Sequence, residues 1–219
     1  MPYTYIVMPG PSTVPFRREV LFVTEGIDDA LFLEEILKKR NEDEGRIEVR
    51  YTEGNGGISA FLKAFSQSPE FTQKRVKGMC IVVDADDDPH KAEVAAKKGM
   101  ADAGLPVCSV CTVAESGGFW TGLYIFPEKG KKGMLEDLLL EKIGSEFRAD
   151  LSKETVQRAL EHGMILDKFG KRTMQIFLAV SEGKISRGPG QGVRNGIVPL
   201  APENFAELND FLNEFLKYR

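Results

Sequence analysis

Met79-Cys80-Ile81-Val82-Val83-Asp84-Ala85-Asp86-Asp87-Asp88-Pro89 is apolar without a break as far as Val83 and then places four carboxylates in five positions. A run this short and β-branched, bounded by Gly78 and Pro89, fits a strand covered on both faces, as at the centre of a parallel sheet. Open α/β sheets bind ligands at the carboxyl ends of such strands. Side chains alternate along a strand, so Asp84 and Asp86 are expected to leave on the same side and reach one point. Two carboxylates aimed at one point repel unless a cation stands there. A hard divalent ion with oxygen ligands, Mg²⁺ or Mn²⁺, matches that donor type. The plain alternative for a lone Asp-x-Asp is a solvated acidic turn.

Working upstream, Arg18 to Val23 is a second strand candidate ending in Thr24-Glu25-Gly26, the punctuation of a strand-turn-helix unit. Ala30, Leu33 and Leu37 with Leu31 and Ile36 predict a helix over Ile27 to Arg40, and Asp28 and Asp29 occupy its first turn, where the macrodipole favours them. Arg46 to Thr52 alternates like a strand and is followed by Gly54-Asn55-Gly56-Gly57, which turns the chain or admits a ligand to backbone. Helices are predicted at Ile58 to Ser66 and His90 to Ala103. The alternation of strand and helix predicts a right-handed parallel α/β sheet. Glu25 then shares an edge with Asp84 and Asp86. Tyr3 to Met8 is a further strand candidate, joined to the rest by the proline-rich stretch from Pro9 to Pro15.

Downstream, Val107 to Val113 reads as a strand and Gly117 to Phe126 as a strand or hairpin arm carrying Trp120. Lys129-Gly130-Lys131-Lys132-Gly133 is a basic glycine loop, followed by an evident helix start at Met134. Further helices are predicted at Ser152 to Glu161, with Ser152 as N-cap, at Lys171 to Val180, and at Pro202 to Tyr218, where Phe205, Leu208, Phe211, Leu212 and Phe215 form one apolar face. Ser186 to Gly196, with four glycines, reads as loop. No repeat or linker divides the chain, so one domain over residues 1–219 is expected, with a core over about residues 18–140 and a helical extension over about residues 141–219.

The composition is that of a globular chain: 42% hydrophobic and 28% charged over 219 residues. Three cysteines give no disulfide framework and suit a reducing compartment. No stretch near Met1 reads as a signal peptide and no segment approaches a membrane span, so a cytoplasmic protein is expected. A net charge of -4 argues against coating nucleic acid by bulk electrostatics.

Glu25 with Asp84 and Asp86 brings three carboxylates to one sheet edge, enough to hold a divalent metal for phosphate chemistry. The pattern strand-Thr24-Glu25-Gly26-x-Asp28-Asp29, followed by a strand ending Val83-Asp84-Ala85-Asp86-Asp87, closely resembles the toprim fold shared by topoisomerases, bacterial primases and OLD-type nucleases. Gly133-x-Leu135-Glu136-Asp137, the Lys171 helix and the final helix near Phe211-Leu212 resemble, more narrowly, stand-alone toprim-related proteins of uncharacterised function. The resemblance runs from about Arg18 onward. It implies a mostly parallel, Rossmann-like central sheet flanked by helices, with a helical C-terminal part. It further implies a Mg²⁺ site of Glu25, Asp84 and Asp86, with Glu25 as general acid/base. Glu136 as a second-metal carboxylate and Lys171 as a transition-state cation match by order and context, and Asp29 is a further metal or supporting carboxylate. The reading that follows is a Mg²⁺- or Mn²⁺-dependent, nuclease-like protein acting on DNA or RNA. The chain lacks a tyrosine-nucleophile module and a Gly-x-x-x-x-Gly-Lys-Ser/Thr loop, so any ATPase would be a separately encoded partner.

Two rival readings differ in class. One is a non-catalytic metal- and nucleic-acid-binding module. The other is a metal-dependent glycosyltransferase, whose metal and nucleotide-sugar motif the strand ending in Asp84-Ala85-Asp86 also resembles, although the first strand ends in a Glu-Gly turn rather than a nucleotide-binding loop. Lys129-Lys131-Lys132, Lys168-Lys171-Arg172 and Arg187-Arg194 are candidates for phosphate contacts, each with a solvated surface face as the alternative. Cys108-x-x-Cys111 is a single pair, insufficient for zinc. Gly188-Pro189-Gly190-Gln191-Gly192 lacks the strand-then-helix context of a phosphate loop.

Overall fold

The structure, a computed structural model, describes residues 7–9, 15–52, 57–164, 166–182 and 185–218. The run quoted above forms β4 (Gly78–Asp84), flanked in parallel by β2 (Val20–Thr24) and β6 (Phe119–Phe126). β3 (Ile47–Tyr51) and β1 (Val7–Pro9) extend the sheet beyond β2, again in parallel, and β5 (Thr112–Ser116) lies antiparallel to β6 at the other edge. The order is β1-β3-β2-β4-β6-β5. Gly117 and Gly118, both at positive φ, join β5 to β6 in the tight turn that matches the twist of a hairpin. The mostly parallel α/β sheet is therefore as the sequence predicts.

Strand parity sorts the core into two layers. Val20, Phe22, Val49, Cys80, Val82, Tyr124 and Phe126 face α1 (Ile27–Lys39), α5 (Leu135–Ile143), α7 (Phe169–Ala179), α8 (Pro189–Arg194) and α9 (Ala206–Leu216). Leu21, Val23, Met79, Ile81, Val83 and Ile125 face α2 (Gly57–Ser66) and α4 (Pro89–Asp102). α3 (Pro69–Thr72) is a single turn after α2, and α6 (Phe147–Glu161) packs on α7. Phe211 and Phe215 of α9 lie over Gly122 of β6, where a Cβ would stand 2.7 Å from the Phe215 ring. Each fully buried ring of this kind stabilises the fold by about 1.5–3 kcal/mol. The C-terminal helices thus share one apolar cluster with the central strands. Among the described residues no helix is long and apolar enough to cross a membrane.

Several local expectations are corrected. Cys111 takes a left-handed φ of 58°, which breaks an extended run, so the strand predicted from Val107 begins only at Thr112. Ser152 does not cap a helix. It is buried inside α6, which starts at Phe147, and its hydroxyl donates back to the Arg148 carbonyl at 2.6 Å. The glycine-rich segment read as loop contains α8, and the C-terminal helix is preceded by a separate 3-10 turn at Pro202–Asn204. Most of the Tyr3 to Met8 strand, most of the Pro9 to Pro15 stretch and Gly54 to Gly56 lie outside the described residues.

Candidate functional site

Parity aims Asp84, two residues after Val82, at the layer of α1 and α5. The register pairs Thr24 with Val82, so Glu25 leaves β2 within one residue of the level of Asp84. The Thr24 hydroxyl donates to the Gly26 carbonyl at 2.8 Å and fixes that turn. Asp29 in the first turn of α1 accepts from the Gly26 amide at 3.1 Å, which holds the helix start against the strand end. α5 does the same from the other side: the Leu135 amide donates to Asp84 Oδ1 at 3.2 Å, and the Met134 amide to Asp137 Oδ2 at 2.8 Å. Just past β4, Asp86 sits at φ 49° and exchanges backbone hydrogen bonds of 2.9 and 2.7 Å with Gly133. A non-glycine residue held in that region costs on the order of 1 kcal/mol. The cross-link ties the basic glycine loop to the end of the central strand and re-aims Asp86, whose carboxylate meets Lys168 Nζ at 3.0 Å.

Glu25, Asp29, Asp84, Asp86, Glu136 and Lys171, the six residues singled out from the sequence, line a single cleft of about 290 Å³. Asp28 and Lys168 join them. Six carboxylates face two ammonium groups there, and the imbalance shows in their protonation. Burial, then the charges of Asp29, Glu136 and Glu25, hold Asp84 well above the carboxylate range. Asp29, 7% exposed, is pushed up to about 8 by burial and the Glu136 charge. Glu25 is raised by burial and by Asp86, with a backbone hydrogen bond from Asp84 and the charge of Lys168 opposing. Glu136 is raised by burial, against the pull of Lys171.

Among the described residues no group of three or more His, Cys, Asp or Glu side chains has the spacing of a formed metal site. Like charges stand apart, and Asp86 is drawn to Lys168 instead. The donor set nevertheless fits a hard divalent cation: it is all oxygen, at least half-buried, and short of positive charge. Cys108 and Cys111 do not offer a zinc alternative: among the described residues no third ligand is grouped with them.

A pH dependence follows. Carboxylates raised in the folded state stabilise it fully below their unfolded values near 4, and that contribution is lost as pH rises through the folded values, near 8 for Asp29. The lowered carboxylates Glu93 and Glu141 are already ionised above pH 5 and do not oppose the trend. The melting temperature of the metal-free protein is expected to fall between pH 5 and pH 8. Added Mg²⁺ should restore more of it at pH 8 than at pH 5. A flat profile in scanning calorimetry would contradict this.

The structure sorts the basic stretches. Lys131 is engaged by Glu128 at 2.7 Å and Glu141 at 3.4 Å, Arg172 by Asp167 at 3.3 Å, and Arg194 by the buried Glu34. These are structural pairs. Lys168, noted in the sequence only as part of a basic run, is the one that reaches Asp86. Asp28 was visible only as a helix first-turn residue. Its carboxylate accepts from the Gly190 amide at 3.0 Å, and burial raises it.

The chain belongs to the family described as protein of unknown function DUF3226, whose model matches residues 18–217. No curated protein matches it. Two solved structures of the C-terminal region of the Xanthomonas campestris pv. campestris OLD protein are similar to it. The one phased with iodine has 11% identity, covers 93% of this chain and 96% of that chain, and gives a TM-score of 0.47. The one phased with mercury has 12% identity, covers 93% and 97%, and gives 0.45.

Proposed function

We propose that this protein is a toprim-type, Mg²⁺- or Mn²⁺-dependent enzyme that cleaves nucleic-acid phosphodiesters. The observation that carries the reading is the convergence of Glu25, Asp84, Asp86, Asp29 and Glu136 with Lys168 and Lys171 in one cleft at the carboxyl ends of β2 and β4. Asp84, Asp86 and Glu25 would hold one ion, and Glu136 with Asp29 would supply ligands to a second. When bound, the metal neutralises charge on the phosphate oxygens. The protein's own groups do the rest. Glu25, raised above the usual carboxylate range by burial and the charge of Asp86, is suited to accept and return a proton. Lys171 adds positive charge beside Glu136, and Lys168, whose charge is reinforced by Asp86, Asp84 and Glu136, stands at the cleft mouth to meet the phosphate.

Cleavage of mixed DNA and RNA in Mg²⁺ or Mn²⁺, lost in EDTA, tests the proposal. Glu25→Gln is expected to lower the rate by roughly 100- to 10,000-fold, the range of general acid/base contributions, with metal binding weakened but folding intact. Wild-type protein that binds metal and nucleic acid without cleaving either would favour the non-catalytic binding module, a reading suggested by the engagement of Asp86 with Lys168.

A further inference from the structure

The acidic cleft shares Asp86, Met134 and Lys168 with a neighbouring pocket, also of about 290 Å³, whose outer wall includes Lys132 and Phe169. The two adjoin at Lys168. Phe169 opens α7 yet leaves 42% of its surface in solvent, at the lip of a charged pocket. Lys132 is exposed and forms no ion pair among the described residues, its charge falling on Asp88 at the end of the same acidic run. The Asp86–Gly133 cross-link holds the Lys132 loop beside the cleft. An exposed ring and two ammonium groups lining one pocket, next to a site for phosphate chemistry, have the makings of a nucleotide subsite. The ring offers a face for a base, and the two cations are placed for the phosphates before and after it.

We infer that this pocket holds the nucleotide adjoining the scissile phosphate, with its base on Phe169, its outer phosphate on Lys132 and the scissile phosphate at Lys168. A ring takes the face of a base only after that base has left its stack. The substrate class is therefore single-stranded or frayed nucleic acid rather than intact duplex. The inference rests on the phosphodiester reading of the cleft and adds a base subsite and the strand state.

The test is fluorescence anisotropy of a labelled single-stranded ten-nucleotide DNA, with Ca²⁺ in place of Mg²⁺, on the full chain. A duplex of the same sequence and a deoxyribose-phosphate oligomer without bases serve as comparisons. Phe169→Ala is expected to weaken single-strand binding by roughly tenfold and to leave binding of the base-free oligomer and the duplex unchanged. Phe169→Tyr should retain wild-type affinity, and Lys132→Ala should reduce the salt slope on the single strand by about 0.7. A Phe169→Ala loss equal on the intact and base-free strands, or no single-strand binding by the wild type, overturns the subsite. Failure of the parent reading looks different: the wild type then cleaves nothing in Mg²⁺ or Mn²⁺, whatever Phe169 does to binding.

Discussion

Asp84→Asn is expected to abolish metal binding and cleavage while raising the melting temperature of the metal-free protein. The amide keeps the shape of the carboxylate, and its oxygen still accepts from the Leu135 amide, which reaches Asp84 Oδ1 at 3.2 Å in the wild type. What it removes is a carboxyl group that burial, and then the charges of Asp29, Glu136 and Glu25, make costly to ionise in the fold. Removing a group that ionises readily only in the unfolded chain should contribute about 1–2 kcal/mol at pH 7.5, or a rise of roughly 2–8 °C for a chain of this size. The loss of a direct metal ligand should exceed the roughly 10- to 100-fold typical of residues that merely orient ligands. Opposite signs for stability and activity in one substitution mark a site built for a cation. Destabilisation together with lost activity would instead make Asp84 an ordinary structural residue.

Gly190→Ala should be strongly damaging where α8 meets α1 behind Asp28. A Cβ there would stand 2.2 Å from the Asp28 carbonyl oxygen and 2.8 Å from its Cα, and backbone on both helices cannot yield cheaply. α8 would be pushed off α1. The Gly190 amide bond to Asp28 and the ion pair between Arg194 and Glu34 would go with it. Glu34 is 1% exposed, so losing Arg194 leaves a buried carboxylate with Lys38 at 3.0 Å as its remaining ion-pair partner. Overpacking and the weakened buried pair together are expected to cost at least about 3 kcal/mol, a drop of roughly 6–12 °C. Gly196→Ala is the control: its neighbourhood is empty but its φ is +75°, so only about 1 kcal/mol of backbone strain is expected. Equal, small losses for the two in thermal melts would show that α8 is not seated as described.

These substitutions also mark where sequence reasoning worked. β4 and β2 were legible because strands buried on both faces are continuous apolar runs, and parity fixes where Asp84 points. The position of Glu25 followed from the strand-turn-helix punctuation around Gly26. α8 was not legible, because glycine at 188, 190 and 192 reads as flexibility. In the fold, Gly188 and Gly190 are there for want of space against Asp28, and Gly192 packs closely on Leu178 and Val198. Lys168 was legible only within a basic run offered for phosphate contacts, because it meets Asp86 across 82 positions of sequence, through a helix start no local pattern locates. The early start of α6 was hidden by Ser152, whose hydroxyl looks like a cap but bonds backward within the helix. Asp86 reaches the cleft by a left-handed turn braced by Gly133, not by simple strand alternation.

The central claim is that the acidic cleft is a divalent-cation site, and isothermal calorimetry of Mg²⁺ and Mn²⁺ at pH 7.5 in two buffers of different ionisation enthalpy tests it most directly. Carboxylates held partly protonated by burial and mutual repulsion must release protons as the ion enters. Saturable binding with a buffer-dependent enthalpy is therefore expected for the wild type, and none for Asp84→Asn/Asp86→Asn. Absence of binding by the wild type, with nucleic acid present as well as absent, would contradict the account.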